Sequence, residues 1–364
     1  MTDLFEILKD LMSAPSVSGF EEQRRKRIAE IFKKYCDAVE IDVIGNVIGI
    51  LGSGNRDVMI AAHYDQLGFM IQYVDEKGYA GFSNIGGWDK RIAYGTRVKI
   101  WVGDNPEDYV VGTVSVVPAH LVKNEDRDKS PEIDAMKIDF GAKNKEEAEK
   151  MGVKIGVVCT PYIDVTHLGT KENDLVIGPA LDDIGGVVSL IEAMELLIDD
   201  PPKNLKIHFV ATVQEEIGLR GAIISAYNLN PWVGMAVDVH FALQPGVTEN
   251  QVGGIEIGKG PGIAIGGNFN RSLWEMIEKE AVVNEIPYQR LAIPRVGGTD
   301  SVPMQVSRGG NISGQIKLPN RYMHSPNEVI SLSDLTNTGR LVAATIKALD
   351  VTDLLDTVEV FRRK

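Results

Sequence analysis

Lys206-Ile-His-Phe-Val-Ala-Thr-Val213, followed by Gln214, Glu215 and Glu216, is the stretch that decides how this chain is read. The run is nearly all apolar and β-prone, which marks a buried strand of a parallel sheet. Open α/β sheets carry their chemistry at the carboxyl ends of such strands. Neighbouring residues leaving a strand point in different directions. One carboxylate can therefore bind a metal while its neighbour faces the substrate as a general base. Alone, a Glu-Glu step is more often a solvated helix start, so the pair gains meaning from other segments.

Four such segments stand out: Ala62-His63-Tyr64-Asp65, Gly178-Pro-Ala-Leu-Asp182-Asp183, Ala236-Val-Asp238-Val239 and Arg321-Tyr-Met-His324-Ser325-Pro326. The first follows the apolar run Val58–Ala62, and the third ends the run Val233–Val237. His63, Glu215, Glu216 and Asp238 thus each lie just past a strand-like segment, where one sheet can gather them. Two histidines with a surplus of carboxylates form a nitrogen and oxygen ligand set suited to zinc, cobalt or manganese. If five such ligands serve two metals, one is shared, and an aspartate can bridge with one oxygen on each ion. Asp183, beside Asp182, reads as a cap for the helix that follows.

The chain has 364 residues, with 44% hydrophobic and 24% charged content, which is ordinary for a globular protein of about two domains. A net charge of −13 argues against a nucleic-acid partner. Two distant cysteines, Cys36 and Cys159, make no disulfide framework and suit a reducing compartment. The first residues lack the basic start and apolar core of a signal peptide, and no apolar run approaches the ~20 residues of a membrane span. A cytoplasmic protein with no membrane partner is expected.

Helical spacing appears over residues 3–13, 20–35, 184–198, 219–227, 271–285 and 332–348, the last capped by Ser331 or Ser333. A hairpin is expected at Gly45-Asn46 between residues 38 and 51, and strands at 57–62, 206–213, 234–238, 289–293 and 311–317. From 71 to 166 short β-prone runs alternate with glycines and charged turns, apart from a helix at 145–151. This reads as a β-barrel or sandwich inserted into a discontinuous α/β domain formed by residues 1–70 and 167–364. Lys123–Lys129 reads as an exposed charged loop. The run Gly253–Gly260 approaches a phosphate-binding loop, but Gly260 stands where a hydroxyl is required.

Taken together in order, Ala-His63-Tyr-Asp65, Leu-Asp182-Asp183, Gln-Glu215-Glu216-Ile-Gly-Leu-Arg-Gly-Ala222, Asp238, Gly297-Gly-Thr-Asp300 and Arg-Tyr-Met-His324-Ser-Pro resemble the tetrahedral (TET) dinuclear metallo-aminopeptidases, the glutamyl aminopeptidase-like or deblocking aminopeptidase family. The resemblance covers essentially the whole chain. It implies a mixed sheet with helices on both faces and an inserted PDZ-like dimerisation domain. It implies two divalent ions, zinc or cobalt. Asp182 is then the bridge, His63 and Asp238 complete one site, and Glu216 and His324 the other. Glu215 is the general base toward a hydroxide between the ions. Asp65 orients the His63 ring. Thr299, Asp300 and Gln66 fall beside the substrate pocket. A strained or cis peptide is implied between Asp182 and Asp183. Peptide substrates and a twelve-subunit tetrahedral shell built from dimers follow from the same likeness.

Three residues depart from that family's pattern: Gln66 stands for a usual Glu, Ile184 for an Arg and Gln244 for an Asp. None is an expected ligand, but all lie near the site, so specificity is not transferable. Two other functions compete with this one. A carboxylate-pair glycosidase leaves both histidine motifs without a role and predicts no effect of chelators. A non-catalytic peptide-binding assembly tolerates loss of a ligand or of Glu215, yet every position is filled.

Overall fold

The computed structural model describes residues 3–118, 120–123, 129–170, 172–352 and 354. Eight strands lie side by side in the order Ala38–Ile41, Val47–Leu51, Leu205–Thr212, Arg56–His63, Val233–Phe241, Ile312–Asn320, Gly262–Ile265 and Gln289–Ala292. The four central strands run parallel, and antiparallel neighbours flank them, so the sheet is mixed.

The period of two along each strand sends alternate residues to opposite faces. Val58, Ile60 and Ala62 join Ile207, Phe209, Val233, Met235 and Val237 in the larger core. That core is covered by the helices Leu4–Met12, Glu22–Phe32, Leu181–Leu197, Arg271–Val283 and Leu332–Val351. Met59, Ala61, Val210 and Ala236 point the other way and pack with Ala226 and Met304. These two belong to the helices Arg220–Leu229 and Ser301–Val306. His63 shares the parity of Met59 and Ala61, and Asp238 that of Ala236, so both leave the sheet on this second face.

Six strands, Gly68–Val74, Ala80–Ile85, Lys137–Asp139, Tyr109–Val114, Arg97–Trp101 and Val158–Pro161, close into a barrel in that order. Phe69, Ile71, Phe82, Val98, Ile100, Val114, Ile138 and Cys159 fill a core of its own. Its first strand starts at Gly68, upstream of the change of character that the sequence pattern shows at residue 71. A glycine at a strand start reads as a break in sequence. Here Gly68 allows close approach, since a Cβ there would meet Val17 Cγ2 at 2.6 Å.

Hairpin and helix caps follow local chemistry. Asp42 Oδ1 accepts from the backbone N–H groups of Ile44, Gly45 and Asn46, and Gly45 takes a φ of 110°. Ser331 Oγ accepts from Asp334 N at 3.1 Å and caps the last helix. The periodicity missed Gly262–Ile265 and a small sheet of Thr166–His167, Leu175–Gly178 and Glu328–Ser331. These strands are two to four residues long, too short for alternation to register. Most of the charged loop at 123–129 falls outside the described residues. No helix among the described residues is long and apolar enough to cross a membrane.

Candidate active site

His63 ends the strand Arg56–His63, and Glu215 and Glu216 follow the neighbouring strand Leu205–Thr212. Asp238 lies inside the next strand, which runs on to Phe241 rather than ending at residue 238. Asp182 comes from the first turn of Leu181–Leu197, where the Asp182–Asp183 peptide is cis and both residues leave helical φ/ψ. His324 sits in the turn after Ile312–Asn320, at a φ of 60°. Residues that are distant in sequence thus line one cleft of about 340 Å³.

At its centre, Asp182 Oδ1 lies 3.0 Å from His63 Nε2, and Asp182 Oδ2 lies 3.3 Å from His324 Nε2. Glu216 Oε2 is 3.6 Å from His324 Nε2, and Glu215 Oε2 is 3.9 Å from His63 Nε2. Two sets of donor atoms gather within 4.8 Å of one another: His63, Asp182 and Glu216, and His63, Asp183 and Asp238. Oxygen and imidazole donors at this spacing fit divalent first-row cations. Asp183 therefore has a second relationship besides capping. Its Oδ1 accepts from Gly186 N at 3.1 Å, while its Oδ2 accepts from His63 N at 3.3 Å.

Asp65 is fully buried and does more than face the His63 ring. His63 Nδ1 is 3.3 Å from the Asp65 main-chain oxygen and 3.5 Å from Oδ1. The carboxylate oxygens accept from Glu215 N at 2.9 Å and Glu216 N at 3.2 Å, and from the Ser18 hydroxyl at 2.6 Å. It thereby pins the turn that carries both glutamates. That turn includes Gln214 at a φ of 54°, and Ala180 and Tyr322 beside the other site segments also have positive φ. Such conformations cost roughly 1–3 kcal/mol each and persist where the surroundings enforce them.

Electrostatics point the same way. Burial raises the Glu215 carboxyl to about 10 and Glu216 well above the usual range, with nearby carboxylates adding to both. Burial and the charge of Asp238 likewise raise Asp183. Burial opposes ionisation of Asp182 too, but hydrogen bonds from His324 and His63 outweigh it and hold that carboxyl low. So many buried carboxylates are ionised together only when cations compensate them.

The residues expected at the substrate pocket divide. Thr299 lines the cleft and accepts from Gln315 Nε2 at 2.8 Å. Asp300 points away, with Oδ2 accepting from the Thr212 hydroxyl and Oδ1 buried without a partner. Gln66 is turned toward Arg24, whose guanidinium donates to its Oε1 and to the carbonyls of Leu11, Ala14 and Tyr64. A neutral Gln there ties the N-terminal helices to the His63 segment instead of lining the main cleft. Of the other histidines, His240 lines the cleft, whereas His208 pairs with Asp57 at 2.7 Å.

Two contributors were not legible in sequence. Lys317, the last residue of the strand expected over 311–317, is 4% exposed, with Nζ donating to Asp238 Oδ2 at 3.0 Å. Glu328 accepts from Asp182 and His324 through backbone N–H groups. Its only sequence signal is its place four residues after His324.

Imidazole and carboxylate donors gathered in a cleft at the carboxyl ends of a mixed sheet, beside a closed barrel, are the architecture of a candidate metal-dependent hydrolase. The profile of the M42 glutamyl aminopeptidase family matches residues 45–341, and the chain belongs to that family. It is a peptide hydrolase, which sets aside the glycosidase reading. It is 36% identical over 354 residues to the lysyl aminopeptidase of Pyrococcus furiosus, covering 96% of this chain and 98% of the relative. The TET aminopeptidase of Thaumarchaeota archaeon SCGC AB-539-E09 superposes with a TM-score of 0.88 at 32% identity, covering 96% and 97% of the two chains. The TET1 peptidase of Pyrococcus horikoshii, described as assembling into a tetrahedron or a large octahedral shell, gives 0.82 at 31% identity over 94% and 98%.

Proposed function

We propose that this protein removes N-terminal amino acids from peptides, with two divalent cations, zinc or cobalt, held around Asp182. His63 and Asp238 would hold one ion together with Asp182, and Glu216 and His324 would hold the other. The observation that carries the reading is the Asp182 carboxylate, one oxygen facing His63 and the other facing His324. When bound, the cations lower the pKa of a water and polarise the scissile carbonyl.

The protein's own groups do the rest. Glu215 takes a proton from the attacking water and returns it to the departing amine. Its side chain is 9% exposed and stands 3.9 Å from His63, so it works in a largely water-excluded environment. Asp65 holds the backbone of Glu215 and Glu216, which keeps base and ligand in fixed relative positions. The free amine of the substrate is received among the cleft carboxylates, which restricts cleavage to the first residue.

The same reading gives the barrel a dimerisation role and builds dimers into a tetrahedral dodecamer in the cytoplasm. Likeness to assemblies such as the Pyrococcus horikoshii peptidase supports it. The test is an assay of purified protein on aminoacyl reporters and short peptides, metal-loaded and chelator-treated. Release of N-terminal residues that stops on chelation and returns with zinc or cobalt is expected. No release with two ions bound per chain rejects the reading. Light scattering on the same sample checks the twelve-subunit mass.

A further inference from the structure

The family description names glutamyl substrates while a close relative is named for lysyl ones, so membership does not decide which side-chain charge this chain accepts. We infer that Lys317 sets that charge: the cleft favours N-terminal residues ending in a carboxylate and rejects Lys and Arg. The inference rests on the aminopeptidase reading above.

Lys317 lies on Ile312–Asn320 in direct register with Asp238 on the neighbouring parallel strand. Adjacent side chains on parallel strands share a face, so the ammonium emerges beside the candidate ligand. Its Nζ donates to Asp238 Oδ2 at 3.0 Å and to the Val239 carbonyl at 2.9 Å. An ammonium has three donors, which leaves one for a ligand in the cleft. No other lysine or arginine lines the cleft among the described residues.

The surrounding wall agrees with a single built-in cation. Gln315, two residues earlier on the same face, and Asn268 and Thr299 supply polar groups, while Phe269 and Ile293 supply apolar surface. With cations bound to the carboxylates, Lys317 is the fixed charge left to meet a side chain. A second ammonium or guanidinium in this desolvated space is repelled, whereas a carboxylate gains a charge-assisted hydrogen bond.

The experiment compares kcat/KM of the metal-loaded protein on Glu, Asp, Gln, Leu, Lys and Arg reporters, then repeats it with Lys317→Met and Lys317→Gln. The wild type is expected to prefer Glu over Lys by at least about a hundredfold, and both variants to reduce that ratio by at least about tenfold. Calorimetric binding of free L-glutamate and L-lysine to all three proteins reads the same preference without turnover. A wild type that turns over Lys or Arg best overturns the inference and leaves the aminopeptidase reading intact. An unchanged Glu-to-Lys ratio in the variants, in turnover or in binding, also overturns it. A wild type inactive on every substrate with metal bound instead rejects the underlying activity.

Discussion

Glu328 and Asp182 are joined through the backbone: the Asp182 N–H donates to Glu328 Oε2 over 2.8 Å. The other carboxylate oxygen accepts from His324 N at 2.9 Å. A single side chain, 2% exposed, thus fixes two candidate ligands that come from separate segments of the chain. Neither amide has a helical partner where it stands, because Asp182 leaves helical geometry and His324 sits at positive φ. The carboxylate supplies the acceptor that both positions need.

Glu328→Ala is expected to destabilise the protein by about 2–5 kcal/mol, since two buried amides lose their acceptor together. Denaturant melts of the metal-free protein measure this. Metal affinity is expected to fall by about 10–100-fold as the two ligands lose their support. Glu328→Gln, which keeps the shape, should lose less of both.

Glu215→Gln should keep its metal and lose turnover by about 10²–10⁴-fold, the usual contribution of a general base. Metal content and kcat on one substrate decide it. Retained turnover removes Glu215 from the role of base.

Asp182→Asn should weaken both ions together, because one carboxylate faces both histidines. Metal titration followed by calorimetry separates the outcomes. Loss of one ion alone argues against a bridge.

Chelation should lower stability even without substrate. A cation at a hundredfold its dissociation constant adds about 2.7 kcal/mol per site if only the folded state binds it. Melting curves with and without chelator, at several metal concentrations, show whether the site is coupled to folding.

Glu21 carries a pH dependence independent of catalysis. Burial raises its carboxyl to about 7, with the Gly19 backbone N–H opposing the rise and the Asp65 charge adding to it. A folded-state value above the unfolded one means that the fold binds the proton more tightly. The stabilisation is full below the unfolded value and is lost as pH climbs through about 7. Glu21→Gln should therefore be more stable than the wild type by about 1–3 kcal/mol near pH 8, and the gap should close near pH 5. Urea melts at the two pH values test it.

Much of the frame was legible because its signals are local. The apolar run before Glu215, the run before His63 and the spacing of the long helices each report burial through side chains within a few residues. The change of character into the barrel showed in the same way, but its edge did not, because Gly68 reads as a break until Val17 is seen packed against it. Very short strands such as Thr166–His167 have no period to read.

The sequence by itself determined the fold class, the order of the motifs and the donor types available for metal, since hydrophobic period and residue chemistry are written along the chain. Only the tertiary structure decided which groups meet. Gln66 turned to Arg24, Asp183 came beside Asp238, and Lys317 and Glu328 entered the site from positions with no catalytic signature. The reason is physical: ionisation, ligation and hydrogen bonding depend on distance and burial across strands. Register and helix placement set those quantities after the chain has folded, and local sequence does not encode them.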